Sequence, residues 1–116
     1  MARVVLYHNR ACSKSRGAKQ LLEERNVDFD TVEYLKAPLG EADIRRILGL
    51  VDDPPAELVR KDGNFRELGL RAGDYVTADA VVDLLVEHPK LMQRPVVVRG
   101  ENAVIARPPE KVEELL

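Results

Sequence analysis

The sequence predicts an α/β fold in which helices flank a mixed four-stranded sheet. Three observations carry that prediction. The chain opens with a β-branched run, a helix-period segment and a second β-rich run; its middle shows only helical patterning; its last third holds two short apolar runs joined by Gly100-Glu101-Asn102. With 116 residues, 45% hydrophobic and 33% charged, the composition is that of one globular domain. Residues 1–116 are read as that domain, with a helical insertion at about 40–89 between a β-α-β unit and a β-β-α unit.

Val4 to Tyr7 is short, continuous and apolar, the pattern of a strand covered on both faces. From Ser13 to Arg25, Ala18, Leu21, Leu22 and Arg25 share a helical stripe, with the Arg25 stem along the core edge, and Asn26 closes the helix. Val27 to Tyr34 reads as a second strand, parallel to the first. Lys36 to Gly40 is turn chemistry. Glu41 to Leu48 then places Ile44, Ile47 and Leu48 on one face, with Gly49 as the residue that ends the helix. Asp53 ahead of Pro54 and Pro55 predicts a capped short helix finishing near Arg60, and Asn64 to Leu68 a single turn ended by Gly69. Thr77 caps a stronger helix with Val81, Leu84, Leu85 and His88 on one stripe, stopped by Pro89. Pro95 to Val98 and Ala103 to Ala106 form a hairpin, and Pro108-Pro109 opens a final helix whose contacts are Val112, Leu115 and Leu116. A parallel N-terminal unit and an antiparallel C-terminal hairpin in one sheet is the thioredoxin-like arrangement.

Composition narrows the function. A formal net charge of −2 argues against a nucleic-acid or membrane surface as the main partner. The sequence has no long apolar run and no basic-then-apolar leader, so a cytoplasmic protein is expected. Its single cysteine, Cys12, can form no internal disulfide; a redox cycle must take its second thiol from another molecule. Cys12 lies at the junction of the first strand and first helix, where unpaired backbone N–H groups favour negative charge. His8, Arg10, Lys14 and Arg16 surround it. Such a setting brings a cysteine pKa down to roughly 3.5–7.5, so a reactive thiolate is preferred over an inert buried thiol.

Arg60, Arg94 and Arg107 stand at element ends, where open α/β sheets bind ligands. Their fork-shaped guanidinium groups suit a tetrahedral oxyanion, although taken singly each is ordinary solvated surface. His8 reads as a proton donor, a source of positive field, or a strand-end histidine satisfied by backbone; Ser15 as a hydrogen-bond partner of the thiolate or of the first helical turn. His88 reads as structural, a cation at a helix C-terminus. No Cys, His and carboxylate cluster has metal-ligand spacing, so no metal is expected.

In order along the chain, Tyr7-His8-Asn9, Cys12-Ser13-Lys14-Ser15-Arg16, Glu33-Tyr34-Leu35, Leu58-Val59-Arg60, Glu67-Leu68-Gly69-Leu70, His88-Pro89, Gln93 with Arg94-Pro95-Val96-Val97-Val98, and Arg107-Pro108 together resemble the thiol-coupled arsenate reductases of the thioredoxin-like superfamily. The resemblance spans nearly the whole chain. It implies that Cys12 is the nucleophile, that Arg60, Arg94 and Arg107 bind the arsenic oxyanion, and that His8 and Ser15 help activate the thiol. It further implies a covalent Cys12 thiol-arsenate adduct, attack on it by an external thiol such as glutathione, and resolution by a glutaredoxin-type protein. No bound cofactor, a monomeric state and a cis peptide at Arg94–Pro95 are implied as well. Arg10 stands where the family loop carries proline, either compensating electrostatically or pointing to solvent. Two other readings are a reductase of the same fold with a different substrate and a protein-binding regulator like the Spx-type relatives. The regulators commonly carry a second cysteine where this chain has Ser15.

Overall fold

Residues 3–116 are described by a computed structural model. Its sheet has the order β2-β1-β3-β4, with β1 at Val4–Tyr7, β2 at Phe29–Val32, β3 at Val96–Arg99 and β4 at Asn102–Ile105. β2 is parallel to β1, whereas β3 is antiparallel to both β1 and β4. This is the mixed sheet of the thioredoxin-like arrangement. Leu6 pairs with Val97 and Val97 with Val104, which fixes the two faces. Val4, Leu6 and Val97 point to one side, where α1 (Ser13–Glu24) and the 3-10 segment Pro109–Leu115 cover them with Ala18, Leu22 and Val112. Val96, Val98, Ala103 and Ile105 point to the other. That side is covered by the insertion, through α2 (Glu41–Leu50), the 3-10 turn Pro55–Leu58, α3 (Gly63–Glu67) and α4 (Ala78–Glu87). Among the described residues no helix is long and apolar enough to cross a membrane.

Helix ends follow their side chains. Asn26 closes α1 in the left-handed region at φ 56°, with its N–H bonded to the Glu23 carbonyl and the Val27 N–H to the Leu22 carbonyl. Val27 thus belongs to the cap and packs beside Leu22, and β2 starts later than the β-rich composition of Val27 to Tyr34 predicts. Arg25 is exposed and ion-paired with Glu113 instead of lying on the core edge. α2 runs through Gly49 to Leu50, because this glycine keeps negative φ and hydrogen bonding continues to Val51. In the 55–58 turn Pro54, not Asp53, precedes the first helical residue. Thr77 caps α4 as expected, its Oγ1 accepting from the Ala80 N–H at 3.2 Å. The hairpin loop is Gly100-Glu101, with Gly100 at φ 62°, the only loop residue in that region. The 3-10 segment Pro109–Leu115 buries Val112, and Leu116, just beyond it, is exposed instead of serving as an apolar contact. Arg94–Pro95 is cis, and so is Arg107–Pro108.

Candidate active site

Cys12 is the N-cap residue of α1, with extended backbone and its own N–H bonded to the Asn9 carbonyl at 3.0 Å. β1 delivers the chain to this point, since the His8 N–H still bonds the Val32 carbonyl beyond the last strand residue. The thiol therefore faces the open amides of the first helical turn. Burial pushes its pKa up, but the Ser15 N–H, the Arg94 guanidinium and the Lys14 N–H outweigh burial and bring it down to about 7. The helix N-terminal amides act as the sequence suggests, but the cation that contributes is Arg94 and not a neighbour in sequence. Arg10 is exposed and spends its charge on Glu33, with Nε to Oε1 at 2.8 Å, and Arg16 Nη1 donates to the Arg10 carbonyl at 2.9 Å.

Arg94 and Arg107 come from the ends of the C-terminal unit and meet beside the thiol. Arg107 Nη1 lies 4.0 Å from Cys12 Sγ and donates to the Arg94 carbonyl at 2.8 Å. Arg94 Nη1 donates to the Lys90 carbonyl at 3.1 Å, while its buried Nε has no partner among the described residues. Arg60 follows the 55–58 turn in an extended segment tied to the loop before β3: its N–H donates to the Leu91 carbonyl, and the Gln93 N–H to that of Leu58. Its side chain is held by Asp62, Nε to Oδ2 at 2.9 Å. Asp62 also caps α3, accepting from the Phe65 N–H at 3.1 Å, so one carboxylate fixes both a helix start and an arginine. Burial raises the Asp62 pKa, but these two partners hold it below the usual carboxylate range. Sequence reasoning missed Asp62; an acidic residue just ahead of Gly63-Asn64 was the available signal.

His8 and Ser15 form a buried pair, Nδ1 to Oγ at 2.6 Å, and the same hydroxyl accepts from the Asn9 N–H at 3.0 Å. The Ser15 hydroxyl thus braces the loop, and it is the Ser15 backbone N–H that serves the thiol. Burial, aided by the charges of Lys19, Arg10 and Arg16, lowers the His8 pKa against the opposing pull of Glu33. The imidazole is therefore neutral at pH 7 and supplies no positive field. The second loop amide, Ala11 N–H, donates to Asn9 Oδ1 at 3.0 Å, an Asx turn that shapes the approach to Cys12. A groove of about 380 Å³ opens on this loop, lined by Asn9, Ala11, Leu35, Asp62, Lys90 and Arg94. Lys90 and Arg94 bring cations to this groove, and Arg94 also acts on the Cys12 thiol, an arrangement that suits capture of an anion followed by nucleophilic attack.

The ArsC family profile matches residues 7–115. The Escherichia coli protein YfgD is 41% identical over 115 residues, covering 97% of this chain and 96% of its own. A protein named arsenate reductase from Neisseria meningitidis is 36% identical over an alignment of 119 residues that covers both chains completely. Among solved structures, an arsenate reductase from Vibrio cholerae superposes with a TM-score of 0.85 at 37% identity, covering 99% of this chain and 98% of that one.

Proposed function

The chain belongs to the ArsC family, and from that premise we propose that it reduces arsenate to arsenite, with Cys12 as nucleophile and Arg60, Arg94 and Arg107 as the oxyanion clamp. The observation that carries this reading is the meeting of Arg94 and Arg107 beside a thiol whose pKa is about 7. At neutral pH about half of such thiols are thiolate, against about 1% at the ordinary value of 9.0.

The Cys12 thiolate attacks arsenic(V), an arsenate oxygen leaves as water, and a covalent sulfur-arsenic adduct forms. The arginines neutralise charge on the remaining oxygens as arsenic becomes crowded. A small external thiol such as glutathione attacks the adduct, and a glutaredoxin-type protein resolves the resulting species. Over one turnover two external thiols each give up a proton and an electron, arsenic gains the electron pair, and arsenite leaves. An external thiol is required because Cys12 is the only cysteine. His8 and Ser15 act on the nucleophile by holding the loop, and Asp62 by holding Arg60.

Arsenate-dependent NADPH oxidation tests the reading, coupled in one arm through glutathione and glutaredoxin and in another through mycothiol and mycoredoxin. Turnover is expected in at least one arm and its loss in Cys12→Ser. Absence of turnover in both, with folded protein and titratable thiol, overturns the proposal.

A further inference from the structure

Tyr34 is the middle residue of the Glu33-Tyr34-Leu35 segment and has no part in the chemistry described so far. It lies just beyond β2, in a turn held by the Lys36 and Ala37 N–H groups, which both donate to the Glu33 carbonyl. Its ring is 1% exposed and packs in the larger core cluster with Ile44 and Ile47. A phenylalanine would fill the same space. The hydroxyl is buried with the Arg94 guanidinium beside it, a group that can only donate, and among the described residues nothing accepts the hydroxyl's proton. A buried hydroxyl proton almost always finds an acceptor, so one without any calls for an explanation.

Its surroundings supply one. Burial raises the Tyr34 pKa; Arg94 and Arg60 act against that, and Cys12 reinforces it. The groups within electrostatic reach of this hydroxyl are therefore the nucleophile and two of the clamp arginines. Arg94 Nε is likewise a buried donor with nothing to donate to. The Tyr34 O–H and the Arg94 Nε–H, two buried donors without an acceptor on residues that both interact with Cys12, suit an oxyanion bound at the thiol.

We infer that Tyr34 is an additional substrate-binding residue whose hydroxyl donates a hydrogen bond to an oxygen of the tetrahedral oxyanion attacked by Cys12. This rests on the proposed oxyanion chemistry at Cys12 and extends it. The phenol is neutral, so it adds direction without adding charge. It remains a donor across the whole range in which the thiolate is reactive, because burial keeps it protonated.

The test is Tyr34→Phe, read first in an assay that needs no turnover: the protection of Cys12 from iodoacetamide by arsenate, phosphate or sulfate. The wild type should be protected, and in the variant the protecting anion concentration should rise about 10-fold or more, the usual effect of losing one bond to a charged group. The alkylation rate without anion should stay near that of the wild type. The melting temperature should hold or rise, since a buried O–H without an acceptor is removed. Unchanged protection overturns the inference. Weaker protection with a lowered melting temperature also overturns it, by marking the hydroxyl as an internal structural bond. Failure of every anion to protect the wild type overturns both the clamp and Tyr34. Protection without arsenate turnover overturns the reduction reading alone, and Tyr34→Phe still decides the role of the hydroxyl.

Discussion

At the scale of single residues, the acidity of Cys12 is assembled from backbone amides of its own helix and from Arg94, which is remote in sequence. Its alkylation by iodoacetamide should follow a titration with a midpoint near pH 7. Arg94→Ala should move that midpoint upward, and a midpoint that stays at about 7 would remove Arg94 from the account. Ser15 offers a second measurement. Its hydroxyl is bonded to both His8 Nδ1 and the Asn9 N–H in a fully buried position, so Ser15→Ala strands both. Urea unfolding should show a loss of about 1–3 kcal/mol with an unchanged m-value. The position of Cys12 at a strand-to-helix junction was legible in the sequence because hydrophobic period changes sharply there. The amide part of its acidity was legible too, from the helix N-terminus, but the cation that contributes was not. Arg10 and Arg16 stand next to Cys12 in sequence, yet their guanidinium groups are taken by Glu33 and a backbone carbonyl, pairings that only the folded loop reveals.

At the scale of elements, period and capping signals located β1, α1, α4 and the hairpin, and the errors fell on terminators whose outcome depends on tertiary packing. Gly49 carries an ordinary stop signal, but α2 continues through it because Leu50 and Val51 join the core that α4 and the 55–58 turn complete. Gly49 is exposed and a methyl group there would meet nothing within 4 Å. Gly49→Ala should therefore stabilise the protein by about 0.5–1 kcal/mol, measured by chemical denaturation. Asn26 is the reverse case, held at φ 56°. Asn26→Ala should cost about 1–2 kcal/mol in the same assay, while Asn26→Gly should cost less than Asn26→Ala.

At the scale of the whole molecule, pH acts through His8 before it acts through the carboxylates. The folded-state pKa of His8 lies below its ordinary 6.5, so between those values the unfolded chain binds more protons than the folded one. Stability should fall as pH drops below about 6.5, and again in the carboxylate range, where Asp62 resists protonation in the fold. Thermal unfolding from pH 7.5 to 5 should show the first decline in the wild type and a flatter profile in His8→Gln. An equally steep decline in that variant would assign the effect elsewhere. The mixed sheet and its two helical covers were legible from the order of periodicities. The meeting of Arg94 and Arg107 at one thiol was not, because it depends on the β2-β1-β3-β4 order that sets the C-terminal hairpin against β1.

Arg107 touches the sulfur and also holds the Arg94 carbonyl, so the two ends of the chain are stitched together at the reacting atom. A copy in which the C-terminal unit is not docked loses Arg94, one of the groups that lower the thiol pKa. Reactivity in this sense reports on folding: the amides of α1 and Arg94 lower the thiol pKa only where the fold brings them together, so labelling by a mild electrophile at neutral pH should tag folded molecules ahead of unfolded ones.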